Sequence, residues 1–225
     1  MGMAAGPDAD RPVGGVEFTQ IGLSGVSEDL LEDLEHLYSS AFHGSRMYER
    51  LLEDIDTAPE IFQIFVARDA GEHRRLLGAR VIESKVHPEF DYQGHPPVHG
   101  KRFCVSPAAR GLGIGRSLIE AGKRYCFDEL GLGVLFGESN EIGALVLHGR
   151  EGALYSVASI EGCSRRNSPA ENLDFFREFL WNPVFRRYRF PDGRGIRFVY
   201  CADTRTTASF TGAGFVPLAH FAPAP

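Results

Sequence analysis

The sequence is poor in cysteine, with four among its 225 residues, and none of them forms a Cys-x-x-Cys pair. The absence of such pairs excludes zinc-ribbon and dithiol redox motifs, which need paired thiols at short spacing. Widely scattered cysteines permit a disulfide, but buried free thiols in a reducing compartment are the favoured interpretation. The four are Cys104, Cys126, Cys163 and Cys201.

Long hydrophobic runs are also absent, because no apolar stretch approaches the roughly 20 residues that span a bilayer. The N-terminus lacks the basic start and apolar core of a secretory signal. Gly2 is not followed by Ser or Thr at the position that a myristoylation signal needs. We therefore expect a cytoplasmic protein that does not bind membranes.

An excess of basic charge is the third absence. Lys and Arg number 24 against 30 Asp and Glu, which gives a net charge of −6. This balance argues against a surface built to neutralise nucleic-acid phosphates. The length suits one domain with a sizeable core. Residues 1–15, rich in Gly, Ala, Pro and Asp, are predicted to be a disordered tail, and residues 16–225 a single domain.

The apolar pattern predicts alternating strands and helices along the chain. Val16 to Ile21 alternates as a strand does, and Ser27 is the expected N-cap of a helix that reaches Phe42. The turn Asp69 to Glu72 predicts a hairpin between its flanking strands. The other predicted elements are hairpin strands over 61–67 and 76–82, a helix over 47–55, an extended segment over 99–105, a helix over 113–130 and a short strand over 134–136.

The most informative segment runs from Phe103 to Leu118 and combines a strand, a glycine-rich turn and the start of a helix. Glycine permits positive φ and close approach of a ligand, and a helix start offers free N–H groups to an anion. A pyrophosphate is the natural ligand. The dinucleotide pattern Gly-x-Gly-x-x-Gly fails because Arg116 replaces its third glycine, and no Gly-Lys-Ser/Thr completes a Walker motif.

The pattern that remains is Arg-x-x-Gly-x-Gly, with Arg110, Gly113 and Gly115, after a strand that ends in Val105-x-Pro107. It resembles the signature of the GCN5-related N-acetyltransferase (GNAT) superfamily. The resemblance implies an α/β (α+β) fold with a mixed, mostly antiparallel central sheet flanked by helices. It also implies acetyl-CoA or another acyl-CoA as co-substrate, with the turn holding the pyrophosphate and the preceding strand splaying to admit the pantetheine arm.

The resemblance assigns the cofactor-binding role to the end of that strand and to the turn. The implied residues are Phe103, Cys104, Val105, Arg110, Gly111, Leu112, Gly113, Ile114, Gly115 and Arg116.

In family members, a strand and a second helix follow the CoA-binding helix. That helix commonly opens with Asn, carries a Tyr seven residues later and ends in Gly-Phe. Two segments here compete for this place: a strand from Val134 with a helix over 142–155, and a strand over 196–201 with a helix from Asp203 to Phe210 before Gly214-Phe215. The surplus over 156–195 is interpreted as an inserted substrate-specificity element or lid, or else as a subunit contact of a homodimer.

Acylation of an amine needs a base for the ammonium proton and an acid for the departing thiolate. By position in the family pattern, His99 is the candidate base, and Glu83, at the end of the preceding strand, is the alternative. His87 and His95 share the proline-rich stretch with His99, but their spacing supports no metal site. Tyr155 is the candidate acid, with a core tyrosine as the alternative; without an acid, the thiolate leaves unassisted.

The surplus segment is rich in arginine, and residues 185–190 alternate aromatic and basic side chains. Such a pattern suits a carboxylate or phosphate group, so we predict an acidic or phosphorylated small acceptor. Solvated arginines on an amphipathic element explain the pattern equally well. The arginines are Arg165, Arg166, Arg177, Arg186, Arg187 and Arg189.

These observations favour an N-acyltransferase that moves an acyl group from acyl-CoA to an amine of a small-molecule acceptor, without a metal. A non-catalytic acyl-CoA sensor is the alternative from another class. A donor carried by an acyl-carrier protein or by a tRNA is a further enzymatic alternative.

Overall fold

The structure is a computed structural model that describes residues 15–42, 46–85, 94–95, 97–163, 168–190 and 195–222. The predicted tail lies outside the described residues except for Gly15. His87, Arg165 and Arg166 also lie outside them.

The described residues contain eight strands and seven α-helices. The strands are β1 (Val16–Gly22), β2 (Phe62–Asp69), β3 (Leu76–Glu83), β4 (Val98–Val105), β5 (Val134–Ser139), β6 (Leu154–Ser156), β7 (Ile196–Cys201) and β8 (Phe215–Pro217). The α-helices are α1 (Glu28–Ala41), α2 (Met47–Thr57), α3 (Ile114–Arg124), α4 (Ile142–Arg150), α5 (Val157–Glu161), α6 (Pro169–Trp181) and α7 (Thr204–Gly212).

The chain forms two compact units, and the first comprises Met1–Ser84 and Gly100–Gly122. Its strands β1, β2 and β3 pair antiparallel, which confirms the predicted hairpin, and β4 follows β3 in the strand order. The Ser27 hydroxyl accepts a hydrogen bond from the Leu30 N–H at 3.3 Å, which confirms the predicted N-cap of α1. The predicted second helix is α2.

The core of the first unit is built from one face of α1 and α2 and from the apolar side chains of the strands. Leu30, Leu34 and Leu37 recur at helical spacing and are buried, as the sequence pattern predicts. Ile64 and Val81 on the strands are also buried. Cys104 of β4 belongs to the same cluster, so its side chain points into the core.

The second unit comprises Lys85–His99 and Lys123–Pro225. The first residues of β4 pair in parallel with β5, with Val98 opposite Leu135. Strand β7 lies antiparallel between β5 and β6, and β8 pairs with β6. The apolar side chains of β5, β6, β7, α7 and β8 form its core cluster, which is Val134, Phe136, Leu154, Val199, Phe210 and Phe215.

Together the strands follow the order β1-β2-β3-β4-β5-β7-β6-β8. This arrangement confirms the predicted α/β fold with a mixed, mostly antiparallel sheet flanked by helices. The prediction of one domain over residues 16–225 stays a prediction. The cysteines are free thiols; Cys104, Cys126 and Cys163 are buried, whereas Cys201 is half-buried.

Both segments that compete for the place after the predicted CoA-binding helix exist as a strand and a helix. The first forms β5 and α4, which directly follow α3 along the chain, and the second forms β7 and α7. The expected end of the first helix near residue 155 is wrong, because α4 ends at Arg150. Gly152 has a φ of +92°, and the Ala153 N–H donates to the His148 carbonyl at 3.0 Å. This arrangement is a Schellman cap.

The predicted insertion lies between β6 and β7. It contains α5, α6 and a 3-10 turn over Pro183–Arg187. Helix α6 opens with a capping box, in which the Ser168 hydroxyl accepts from the Glu171 N–H and the Glu171 carboxylate accepts from the Ser168 N–H.

Candidate functional site

The glycine-rich turn begins where β4 ends. The Ser106 N–H donates to the Leu77 carbonyl of β3 at 2.8 Å, and a 3-10 turn over Pro107–Ala109 follows. The Ala109 N–H donates back to the Ser106 carbonyl at 2.9 Å. These bonds fix the exit of the chain from the sheet before it enters the glycine-rich segment.

Two glycines of the turn have a backbone conformation that other residues rarely adopt. Gly111 has a φ of +88° and Gly113 a φ of +79°. Nothing lies within 4 Å of the position that a Cβ would take at either glycine. Glycine is therefore required here for its conformation, and the turn leaves open space where a ligand can approach the backbone.

Helix α3 starts directly behind this exposed turn. The Ser117 N–H donates to the Gly113 carbonyl at 3.1 Å, so the N–H groups of Ile114 and Gly115 precede the first hydrogen bond of the helix. They lie at the positive end of the helix dipole. A helix start of this kind can bind an anion. The predicted binding of a pyrophosphate there stays a prediction.

The start of α3 is packed tightly on β3 of the same unit. A Cβ at Gly78 would lie 3.0 Å from the Ile114 side chain and 3.1 Å from that of Leu118. Further along, the buried Arg80 donates to the Ile119 carbonyl at 3.3 Å, and a Cβ at Gly122 would meet its guanidinium at 3.0 Å. Small residues at 78 and 122 thus let the helix lie close to the strand, a role that the sequence analysis did not identify.

Side-chain charge at the turn comes mainly from Arg110. This residue is exposed and forms no ion pair with the described residues, whereas Arg116 pairs with Glu120 at 3.1 Å. Leu112 is 47% exposed. On β4, Phe103 and Val105 are half-buried. Of the predicted cofactor-binding residues, Cys104 faces the core.

Glu83, the alternative candidate base, lies at the end of β3. Its carboxylate is 2.5 Å from the ammonium of Lys101 on β4, and its side chain is only 8% exposed. The Lys101 ammonium also lies 5.2 Å from the centroid of the Phe62 ring. Sequence reasoning missed Lys101, because only the arrangement of β3 and β4 brings it to Glu83.

His99, the first candidate base, lies on the part of β4 that belongs to the second unit. Its ring stacks on Phe136, with centroids 4.3 Å apart and planes 11° apart. The ring centroid of His95 lies 6.3 Å from that of Phe210. Among the described residues, no group of three or more His, Cys, Asp or Glu is arranged to hold a metal ion.

Tyr155, the candidate acid, lies on β6 in the second unit and is fully buried. Its hydroxyl donates to the Leu145 carbonyl of α4. Burial raises the pKa of the Tyr155 phenol well above its usual value. These contacts favour the core role that the sequence analysis kept as the alternative.

A buried polar pair that the sequence analysis missed joins α4 to β7. The Nδ1 atom of His148 lies 2.7 Å from the hydroxyl of Tyr200, and both side chains are buried. The His148 ring stacks on Phe198 at 4.1 Å, and Lys123 lies 5.2 Å from the centroid of the Tyr200 ring. The two residues are 52 positions apart in the sequence, so no local sequence pattern predicts their contact.

The described arginines of the insertion differ in their partners. Arg177 pairs with Asp174 at 3.3 Å, and Arg189 pairs with Glu141 at 3.0 Å. Arg187 is exposed, and Arg186 is half-buried.

Among the described helices, none is both long enough and apolar enough to cross a bilayer.

Comparison with known proteins identifies the family. The model of the acetyltransferase (GNAT) family matches residues 27–148, which is more than half of the chain and includes β4, the turn and α3. Mycothiol acetyltransferases of Rhodococcus opacus and Rhodococcus jostii are 37% and 38% identical over 92 residues. These matches cover 40% of this chain and only 28% of the length of either relative.

Solved structures agree with this fold. A chain of the NatC complex bound to Gag peptide and CoA is 15% identical, with a TM-score of 0.54 over 83% of this chain and 99% of that one. The GNAT-family protein YhbS of Escherichia coli in complex with CoA is 16% identical, with a TM-score of 0.52 over 85% of this chain and 83% of that one. The chain therefore belongs to the GNAT family of acetyltransferases.

Proposed function

We propose that the chain is an N-acyltransferase that transfers an acetyl or other acyl group from acyl-CoA to an amine of a small molecule. The observation that carries this proposal is the exposed turn before α3. There Gly111 and Gly113 hold positive φ, and the first N–H groups of the helix lie at the positive end of its dipole. Backbone donors in this geometry suit a pyrophosphate, which is the anionic part of CoA nearest its pantetheine arm.

The reaction proceeds by direct attack of the amine nitrogen on the thioester carbonyl carbon. A base takes the proton of the ammonium and frees the nitrogen lone pair. The carbon–nitrogen bond then forms, and the carbon–sulfur bond breaks. The electron pair leaves on sulfur, the acylated nitrogen gives up its second proton to solvent, and the thiolate takes up a proton from an acid or from water.

Glu83 is the base that we favour. Its carboxylate is held in one place by Lys101, and its side chain is largely shielded from water. A shielded carboxylate is an acceptor for the proton of an ammonium that approaches it. His99 is the second candidate, and its stacking on Phe136 fixes the ring plane. Tyr155 stays the candidate acid, although its burial and its bond to Leu145 favour a structural role.

The small-molecule acceptor is supported by the relatives. The sequence matches are acetyltransferases named for mycothiol, a small molecule. A spermidine N-acetyltransferase chimera that includes Vibrio cholerae sequence shares the fold at a TM-score of 0.50 and 14% identity. An amine on a small metabolite is the acceptor class that we carry over from these names.

Release of free thiol from acetyl-CoA in the presence of a panel of small amines tests this function. We expect amine-dependent thiol release with at least one member of the panel. Mass spectrometry should then show as much N-acetylated product as thiol released. Tight binding of acetyl-CoA without thiol release for any amine would instead indicate a non-catalytic sensor. Release only with a carrier-protein or tRNA-linked donor would indicate that alternative donor.

A further inference from the structure

The chain has three lysines, and they differ in their surroundings; they are Lys85, Lys101 and Lys123. Lys85 is exposed, and Lys123 is half-buried and donates to the Glu151 carbonyl at 3.2 Å. The ammonium of Lys101 is held by the carboxylate of Glu83 at 2.5 Å. Lys101 is therefore the lysine whose nitrogen lies at the favoured candidate base.

The side chains around Lys101 hold its ammonium in one place. Phe62 of β2 is the register partner of Glu83 of β3, so the ring and the carboxylate lie on the same face of the sheet. The Lys101 ammonium lies 5.2 Å from the ring centroid, which is within the range of a cation–π contact. The Lys101 side chain is still 24% exposed, so a group that comes from solvent can reach it.

The backbone next to Lys101 is held in a strained conformation. Arg102 has a φ of +46°, which residues other than glycine rarely adopt. Its buried guanidinium donates to the Arg50 carbonyl of α2 at 2.8 Å and lies 2.5 Å from the Asp54 carboxylate. These contacts fix the direction in which β4 presents the neighbouring Lys101. Strain that the surrounding contacts maintain is typical of functional sites.

Lys101, Glu83 and the glycine-rich turn belong to the first unit. From Lys101 to Val105, where β4 ends and the turn begins, four steps along the strand span about 13 Å. A base must lie within hydrogen-bond reach of the nitrogen that it deprotonates. The Lys101 nitrogen already lies at that distance from Glu83. An acyl group that is brought to Glu83 for transfer to an acceptor is therefore brought to Lys101 as well.

We propose that Lys101 is an internal acyl acceptor, which takes one acyl group from bound acyl-CoA when no small amine is present. Glu83 takes one proton of the Lys101 ammonium, and the nitrogen lone pair attacks the thioester carbonyl carbon. The carbon–nitrogen bond forms, and the carbon–sulfur bond breaks with its electron pair leaving on sulfur. The nitrogen gives up its second proton to solvent, and the thiolate takes up a proton from water. This inference rests on the proposed function, because it uses acyl-CoA as donor and Glu83 as base.

The internal reaction stops after one transfer per chain, because the amide nitrogen of an acylated lysine is no longer a nucleophile. The acylated side chain carries no charge, so it no longer forms an ion pair with Glu83.

Incubation of the full chain with saturating acetyl-CoA and no amine tests the proposal. Intact-mass spectrometry should show one added acetyl group per chain, and peptide mapping should locate it on Lys101. Non-enzymatic acetylation by the thioester would instead favour Lys85, the exposed lysine. Occupancy of Lys85 that equals or exceeds that of Lys101, or no acetylation of Lys101, would overturn the proposal.

A variant of the base tests the route of transfer. Glu83→Gln should slow the acetylation of Lys101 at least tenfold, whereas Glu53→Gln, in an exposed ion pair, should leave its rate unchanged. An unchanged rate in Glu83→Gln would overturn the proposal. If Glu83→Gln does not fold, the peptide map of the parent still decides whether Lys101 is the acceptor.

A mixture of the two proteins tests whether the transfer is internal. When the parent and Glu83→Gln are mixed in equal amounts with acetyl-CoA, the acetyl group should stay on the parent. Acetylation of Lys101 in Glu83→Gln to the same level would show transfer between chains and would overturn the internal acceptor.

The amine panel separates this inference from the proposed function. If Lys101 is acetylated but no amine releases thiol, the small-molecule acceptor is wrong and the internal acceptor stands. If an amine is acetylated but Lys101 never is, the proposed function stands and the internal acceptor is wrong.

Discussion

The Glu83 carboxylate and the Lys101 ammonium lie 2.5 Å apart, with Glu83 only 8% and Lys101 24% exposed. The pair joins the end of β3 to the middle of β4, and both residues belong to the first unit. Since the lysine side chain also lies against the Phe62 ring, both partners are restricted to one geometry. A carboxylate held in this way is oriented before any ammonium group approaches it.

Glu83→Gln should lower kcat by about a hundredfold to ten-thousandfold, because the amide cannot take the ammonium proton. His99→Gln should leave kcat within tenfold. The measurement is thiol release at saturating acetyl-CoA and amine. Glu53→Gln, which removes the carboxylate of the exposed Arg46–Glu53 pair, is the control and should not change kcat. A larger loss in His99→Gln than in Glu83→Gln would assign the base to His99.

Gly113→Ala should weaken CoA binding about tenfold, because an L-residue at a φ of +79° costs on the order of 1–2 kcal/mol and shifts the turn. Calorimetric titration of CoA measures the effect. Gly212→Ala is the control, since nothing lies within 4 Å of a Cβ there and its φ is ordinary. Unchanged affinity in Gly113→Ala would separate the turn from CoA binding.

Tyr155→Phe should lower the free energy of unfolding by about 1–2 kcal/mol and leave kcat unchanged, because its hydroxyl satisfies the buried Leu145 carbonyl. Tyr38→Phe provides the contrast. The Tyr38 hydroxyl is buried and has no hydrogen-bond partner among the described residues, so its removal should be neutral or slightly stabilising. Urea unfolding at pH 7 measures both. A tenfold or greater fall in kcat for Tyr155→Phe would support its role as the acid.

The same two tyrosines predict a loss of stability at high pH. Burial raises the pKa of Tyr38, with Cys104 as the next contributor, and burial raises that of Tyr155. In the unfolded chain each phenol loses its proton near pH 10, whereas in the folded chain it keeps it. Their stabilising effect is therefore complete below about pH 10 and is lost above it, by up to about 1.4 kcal/mol per pH unit for each tyrosine.

Urea unfolding at pH 9 and pH 10.5 checks this slope. Tyr38→Phe and Tyr155→Phe should each make it shallower, and Tyr188→Phe, at an exposed position, should not. A slope that is unaffected by both buried substitutions would show that other groups cause the alkaline loss.

The features that the sequence predicted correctly are those that depend on local geometry. Ser27 caps α1 because its hydroxyl needs only an N–H three residues away. The glycines at 111 and 113 mark positive φ because other residues are strained there. The end of α4 was missed, although Gly152 carries the same signal, because the apolar pattern continues past it into β6.

The features that escaped prediction depend on pairing between distant segments. Lys101 meets Glu83 only because β3 and β4 are neighbours, and His148 meets Tyr200 only because α4 packs on β7. The spacing of these residues along the sequence gives no basis for predicting their contacts.

We propose that the backbone donors at the start of α3 hold the pyrophosphate of CoA. Titration of CoA into 15N-labelled protein, followed through the amide signals of Gly113 to Arg116, tests it most directly. We expect large, saturable shifts of these four amide signals, with a midpoint at the Kd measured by calorimetry. Saturable binding of CoA that leaves these amide signals in place would contradict it.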